Sequence, residues 1–218
     1  MTYRAAGRVH AASTPTLLGQ VLGITGLGLL VTAAASYFFQ GLAPGSILGW
    51  AAFIAGFILL FAINAVRENE PLALTLYYLF TFLMGVWIGP VIGRYISVIG
   101  PAVVYQAAMT TGLGMLALAT IVYATSIDFR RFSGIAFVAL LALVLVGIVS
   151  AFTHWVHPTV FAWATLAIFT LITLIDFTRI KAGGDGYTPV QMAVQLYLDA
   201  INIFLALLQI FGGGRSRD

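Results

Sequence analysis

The sequence predicts an all-α integral membrane protein, a single domain of seven transmembrane helices with the last helix central in the bundle. Three observations carry that prediction. Of 218 residues, 61% are hydrophobic and 8% charged, whereas a soluble domain holds about 25% charged residues. A chain so poor in charge has too little polar surface to face water, and a disordered chain needs the opposite composition. Apolar runs of roughly twenty residues, right for a spanning helix and too long for a barrel strand, alternate with short polar or Pro/Gly breaks. The seventh run also carries a regular polar stripe, which places it among other helices rather than in lipid.

The runs follow in order. Leu17–Phe39 is the first. Arg4 and Arg8 precede it, and Ala33-Ala34-Ala35 imitates a small-residue cleavage site. The run nevertheless continues through Tyr37, Phe38 and Phe39, too far for the apolar region of a signal peptide. Ile47–Val66 is the second. Leu72–Ile92, Val103–Thr125, Thr159–Ile180 and Pro189–Phe211 each begin at or just after a proline: Pro71, Pro101, Pro158 and Pro189. Proline is tolerated in the first helical turn because its missing N–H would have no helical partner there. The fifth run, Phe132–Phe152, follows Arg130 and Arg131. Residues 1–16 and 212–218 remain as N- and C-terminal tails of a single domain, 1–218.

Orientation follows from Lys and Arg placement. With the N-terminus inside, the inner side holds Arg4, Arg8, Arg67, Arg130, Arg131, Arg179 and Lys181, and the outer side Arg94, Arg215 and Arg217. This predicts a multi-pass protein of the cell membrane with a cytoplasmic N-terminus. A re-entrant last span would instead return the two tail arginines to the inner side. Gly85, Gly89 and Gly93 recur at four-residue spacing in the third run, as do Gly19 and Gly23 in the first. Such faces let helices approach closely, within the molecule or across a dimer seam.

Several chemistries drop out. There is no cysteine, which removes disulfides, thiolate nucleophiles and thiolate metal sites. No basic tract exists to grip nucleic acid. Ala182-Gly183-Gly184-Asp185 fails the Gly-x-Gly-Asp pattern of intramembrane aspartyl proteases and lies in a loop. His154 and His157 flank Trp155 without a third ligand nearby, and a catalytic zinc site needs three protein ligands. Ser133-Gly134 lacks the setting of a membrane serine protease. No enzymatic activity is expected.

Two charges stand where lipid should exclude them. Asp176 lies within the sixth run and Asp199 within the seventh. A carboxylate at mid-bilayer costs roughly 2.5–3.5 kcal/mol on insertion scales, so each should face the bundle interior and is a functional candidate. Gln191, Gln195, Asp199, Asn202 and Gln209 fall at helical spacing and form the polar stripe of the seventh run, with Asn64 and Gln106 as further partners. If the two aspartates meet, they would share a proton and act as a proton-sensitive latch. Two plainer readings compete: Asp176 pairs with Arg179 one turn on, and Asp199 accepts from Thr or Asn donors.

The segments Leu196-Tyr197-Leu198-Asp199-Ala200-Ile201-Asn202-Ile203-Phe204, Ile175-Asp176 followed by Arg179-Ile180-Lys181, and Tyr78-Leu79-Phe80-Thr81-Phe82 leading to Gly85 and Pro90 resemble the Bax inhibitor-1 family, including its bacterial YccA-like members. The resemblance covers essentially the whole chain and agrees with the family's seven-helix fold. It implies a pH-sensitive calcium leak in which Asp176 and Asp199 correspond to paired aspartates acting as proton sensor and latch. Arg67 matches a family arginine that contacts this pair, although Glu68 and Glu70 follow it here. The resemblance also implies contact with the membrane protease FtsH, an alternative in which the protein is a regulator and transports no ion. No tightly bound cofactor is expected. Calcium takes six to eight oxygen ligands, and conduction needs weak, multi-site binding, which two aspartates with neighbouring amides such as Gln195, Asn202 and Gln209 would suit.

Overall fold

The computed structural model describes residues 16–153 and 155–213. They form seven α-helices: α1 (Leu17–Phe39), α2 (Ile47–Ala65), α3 (Glu70–Ile99), α4 (Ala102–Ala124), α5 (Ser133–Thr153), α6 (Pro158–Lys181) and α7 (Pro189–Gly213). All seven are long and apolar enough to cross a membrane. A short 3-10 turn, Phe129–Phe132, leads into α5. Among the described residues there is no strand, as lipid demands of a non-barrel fold. Arg4, Arg8, His154, Arg215 and Arg217 lie outside the described residues, as does most of each tail.

The helix starts are built as their sequences suggest. Thr16, Ser46 and Asn69 cap α1, α2 and α3 by accepting from the N–H groups of Gly19, Gly49 and Leu72, each at 3.2 Å. At α7, the Thr188 N–H donates to Gln191 Oε1 at 3.0 Å, and the Gln191 N–H donates back to Thr188 Oγ1 at 3.3 Å. Two otherwise orphaned donors are thereby satisfied reciprocally.

One boundary differs from expectation. α3 does not stop at Ile92 but continues to Ile99 with Pro90 inside it. At thirty residues it is about 45 Å long, longer than the ~30 Å hydrocarbon core. Pro90 is buried, and a membrane helix tolerates an internal proline where neighbouring elements surround it. α1 supplies such a neighbour along the glycine face of α3.

That face answers the question of the small residues. A Cβ on Gly85 would lie 2.6 Å from the Ala35 Cβ and from the Thr32 carbonyl oxygen, and one on Gly89 would lie 2.9 Å from the Ser36 carbonyl oxygen. Gly93 is pressed against the Gln40 carbonyl. The stripe is spent on intramolecular packing of α1 against α3. Gly19 and Gly23 do not form an equivalent face. A Cβ on Gly23 would meet nothing within 4 Å, and one on Gly19 would meet only the capping Thr16 hydroxyl.

α7 packs against α1, α3, α4 and α6 and so occupies the centre, while α2 packs mainly on α3 and α5 mainly on α6. The core is closed by Tyr77, Phe80, Phe177, Leu196 and Tyr197, all nearly inaccessible. Gly184, just before α7, lies against Leu17, whereas Gly212 at its far end lies against Tyr95 and Ile99. α7 therefore crosses the whole bundle and is not re-entrant. Arg67, Asp128, Arg130, Lys181 and Asp185 gather at the end of the bundle where α7 begins.

Candidate functional site

α6 and α7 lie side by side, and their facing sides carry the two acids. Asp176 is 4% exposed and Asp199 2%. By the rise of an α-helix, Asp176 sits about 7.5 Å from the charged end of α6, Thr173 about 12 Å from it, and Asp199 about 15 Å from the start of α7. Thr173 is therefore nearly level with Asp199, and Asp176 is one turn nearer the charged end. The Thr173 hydroxyl lies beside the Asp199 carboxyl, and the charges of Asp176 and Arg179 both act on that carboxyl. The sequence-predicted pair is thus brought together as electrostatic neighbours.

The hydrogen bonds around the pair are unequal. Arg179 Nη1 donates to Asp176 Oδ1 at 3.0 Å, so the plainer reading of Asp176 also holds. Thr173 Oγ1 donates its single proton to the Phe169 carbonyl at 2.7 Å. Toward Asp199 it has only lone pairs left to offer. Asp199 Oδ2 is buried without a hydrogen-bond partner. Two carboxyl groups thus face one guanidinium. No charged residue of α1 or α4 exists to redress that balance, and the charges of α3, Glu70 and Arg94, lie near its ends.

Arg67 does not join the pair. It is exposed in the turn after α2, and among the described residues it makes no ion pair. It lines an open groove of about 610 Å³ together with Asn64, Glu68, Asn69 and Leu72. The position next to Asp176 belongs to Arg179, which reaches it because residues three apart share a helix face. The other stripe residues divide. Gln191 is buried and donates from Nε2 to Asn64 Oδ1 of α2 at 2.7 Å. Asn202 turns back on its own helix, donating to the Leu198 carbonyl at 2.8 Å. Gln195 and Gln209 are half-buried. Among the described residues no three His, Cys, Asp or Glu side chains converge. A cation at Asp176 and Asp199 would complete its shell with hydroxyls, carbonyls and water. His157 accepts from the Thr159 N–H at 3.3 Å and caps α6.

A second polar cluster, on the opposite side of α7, escaped the sequence reading. Thr32 Oγ1 donates to the Thr81 carbonyl at 2.8 Å. Its one proton is then committed, so in the 2.6 Å contact between the two hydroxyls Tyr197 is the donor. The Tyr197 ring meets Tyr77 and Phe80 edge-on, with centroids 6.0 and 5.4 Å apart. The Tyr77 hydroxyl is buried without a partner and abuts Gly28, where a side chain would collide with it. The cluster ties α1, α3 and α7 together. Its signal in the sequence was Tyr197, two residues before Asp199 and hence on another face of the helix.

At the charged end, Lys181 Nζ donates to the Val122 and Thr125 carbonyls at 2.8 and 2.7 Å. It thereby satisfies orphaned acceptors at the end of α4. Arg130 joins Asp128 to Asp185 at 2.9 Å each, linking the loop before α5 to the loop before α7. Hydrogen bonds from the Arg130 side chain and backbone hold the Asp128 carboxyl below the usual carboxylate range.

The family model described as "Inhibitor of apoptosis-promoting Bax1" matches residues 14–216. An uncharacterized protein of Campylobacter jejuni is 30% identical over 190 residues, spanning 86% of this chain and 80% of its own length. An uncharacterized membrane protein of Streptococcus pyogenes is 27% identical over 212 residues, with 88% and 90% spanned. Human protein lifeguard 3 is 26% identical over 218 residues, with 90% and 68% spanned.

Proposed function

The chain belongs to the Bax inhibitor-1 family, and from that premise we propose that it is a pH-regulated calcium leak of the cell membrane, gated by Asp176 and Asp199. The observation that supports this reading is the charge count of the buried site, two carboxyl groups beside one guanidinium. With both acids ionised the site carries one negative charge in excess, in a medium where uncompensated charge is expensive. Either a proton or a cation relieves it.

The proton state is the closed one. A protonated Asp199 has an acceptor ready in Thr173, whose own proton is used on Phe169, and the α6–α7 interface is then neutral. The ionised state is the open one. Asp176 and Asp199 repel, the interface loosens, and calcium enters the site that the proton has left. Two acids with hydroxyl and amide neighbours bind weakly enough for an ion to leave again. The charged groups facing Asp199 are Asp176 and Arg179, both from α6, and α1 and α4 carry no acid, lysine, arginine or histidine. By the basic residues of the charged end, that end and the N-terminus are cytoplasmic.

The test is calcium flux into liposomes carrying the purified protein, resolved by pH, for the parent and for Asp176→Asn and Asp199→Asn. Loss of the pH dependence in Asp199→Asn, and its displacement in Asp176→Asn, is the expected outcome. A pH profile unchanged in both variants overturns the latch.

A further inference from the structure

We propose that the hydrogen bond between Asn64 and Gln191 is a side-chain bar that closes the polar face of α7 to the groove at the charged end of the bundle. The inference rests on the leak reading for its purpose, but its geometry stands apart from the aspartates. The groove of about 610 Å³ is walled by the polar Asn64, Arg67, Glu68 and Asn69 together with three apolar neighbours, and its polar side is suited to water and hydrated ions. Asn64 is exposed on the groove side, and its Oδ1 accepts from Gln191 Nε2 at 2.7 Å. Behind it, Gln191 is 8% exposed, the first buried polar side chain on that route.

Beyond Gln191 the same face of α7 carries Gln195 one turn on and Asp199 two turns on. Gln191, Gln195 and Asp199 thus form a series of polar groups along α7, and the bond from Gln191 to Asn64 links the first of them to the wall of the groove. Gln191 is held in place from its other end, since its Oε1 accepts from the Thr188 N–H at 3.0 Å. The movable partner is accordingly Asn64. It rides on α2, a helix at the margin of the bundle that packs mainly on α3. Asn64 and Gln191 are positioning residues in this scheme. They set whether an ion or water reaches the acids and do not bind the ion in transit.

The chain contains no cysteine, so a single introduced thiol reports on access without background. The experiment places Gln195→Cys in the full chain in nanodiscs and measures its rate of modification by a positively charged, membrane-impermeant thiosulfonate. Combining it with Asn64→Leu removes the acceptor while keeping the branched shape of the side chain. Combining it with Asn64→Asp keeps an acceptor for Gln191. The expected result is modification accelerated about fivefold by Asn64→Leu, the factor that one hydrogen bond of ordinary net strength represents, and parental protection in Asn64→Asp. Equal rates in all three backgrounds, or equal acceleration by both Asn64 substitutions, overturn the bar. Should Asn64→Leu fail to fold, Asn64→Ala takes its place against the same Asn64→Asp control. The readout does not depend on calcium. A failed leak reading appears only in the flux of the aspartate variants, and a failed bar only in the thiol rates.

Discussion

Replacing Arg179 by glutamine strands the Asp176 carboxylate, and the size of the penalty can be worked from the site. Removing one partner of a buried ion pair costs about 3–5 kcal/mol, because the remaining charge stays buried and uncompensated. The Asp176 side chain is 5% exposed but that of Arg179 is 27% exposed. Solvent therefore already screens the guanidinium side, and the expected loss for Arg179→Gln falls to ~2–3 kcal/mol. The discriminating measurement is a double-mutant cycle by equilibrium unfolding in mixed micelles with Asp176→Asn, Arg179→Gln and the pair together. Asp176→Asn removes the stranded charge, so the double variant should recover at least ~1 kcal/mol relative to the sum of the single changes. Additivity within about 0.5 kcal/mol would mean that the 3.0 Å contact carries no coupling energy and that Arg179 does not compensate the Asp176 charge.

Three further outcomes are expected. Tyr197→Phe removes the hydrogen bond to Thr32 and should cost about 1 kcal/mol, whereas Tyr77→Phe, which removes a hydroxyl buried without a partner, should be neutral or stabilising in the same unfolding assay. Gly89→Ala forces a methyl to within 2.9 Å of the Ser36 carbonyl oxygen and should cost ~1–3 kcal/mol; Gly23→Ala, with nothing within 4 Å, should cost nothing. Arg130 depresses the folded-state value of Asp128, so the stability from this contact is present above the unfolded carboxylate value of about 3.9 and is lost only as pH falls through the lower folded value. Amide exchange in the loop before α7, corrected for the intrinsic rate, should then be independent of pH between about 5 and 8 and faster in Arg130→Ala across that range.

Much of the fold was legible because lipid leaves a chain few options. Six of the seven runs match the observed helices to within two residues at both ends, and Pro71, Pro101, Pro158 and Pro189 mark four of the seven starts. The exception, α3, overruns because its far turns keep packing, Gly93 against Gln40 just after α1 and Tyr95 and Ile99 against Gly212 of α7; the glycine spacing announced a close approach but not where the helix would end. Asp176 and Asp199 were legible for the same reason as the spans: in a chain with 8% charged residues, an acid inside an apolar run is conspicuous. Their immediate partners were harder. Arg179 was visible from helical spacing, but Arg67, proposed by resemblance, lies in an exposed turn facing a groove. The Tyr77, Tyr197, Thr32 and Thr81 cluster draws on three helices, with residues that each pass for ordinary members of an apolar run. Only the packing of α1 and α3 on α7 assembles it.

On the proposed mechanism a proton and a calcium ion alternate at one buried site. Infrared difference spectra of the protein in lipid, recorded with and without calcium, test it most directly. Calcium should abolish a band from a protonated carboxylic acid, and Asp199→Asn should lack this band. A calcium difference spectrum with no carboxylic acid signal, or one identical in the parent, Asp176→Asn and Asp199→Asn, would contradict it.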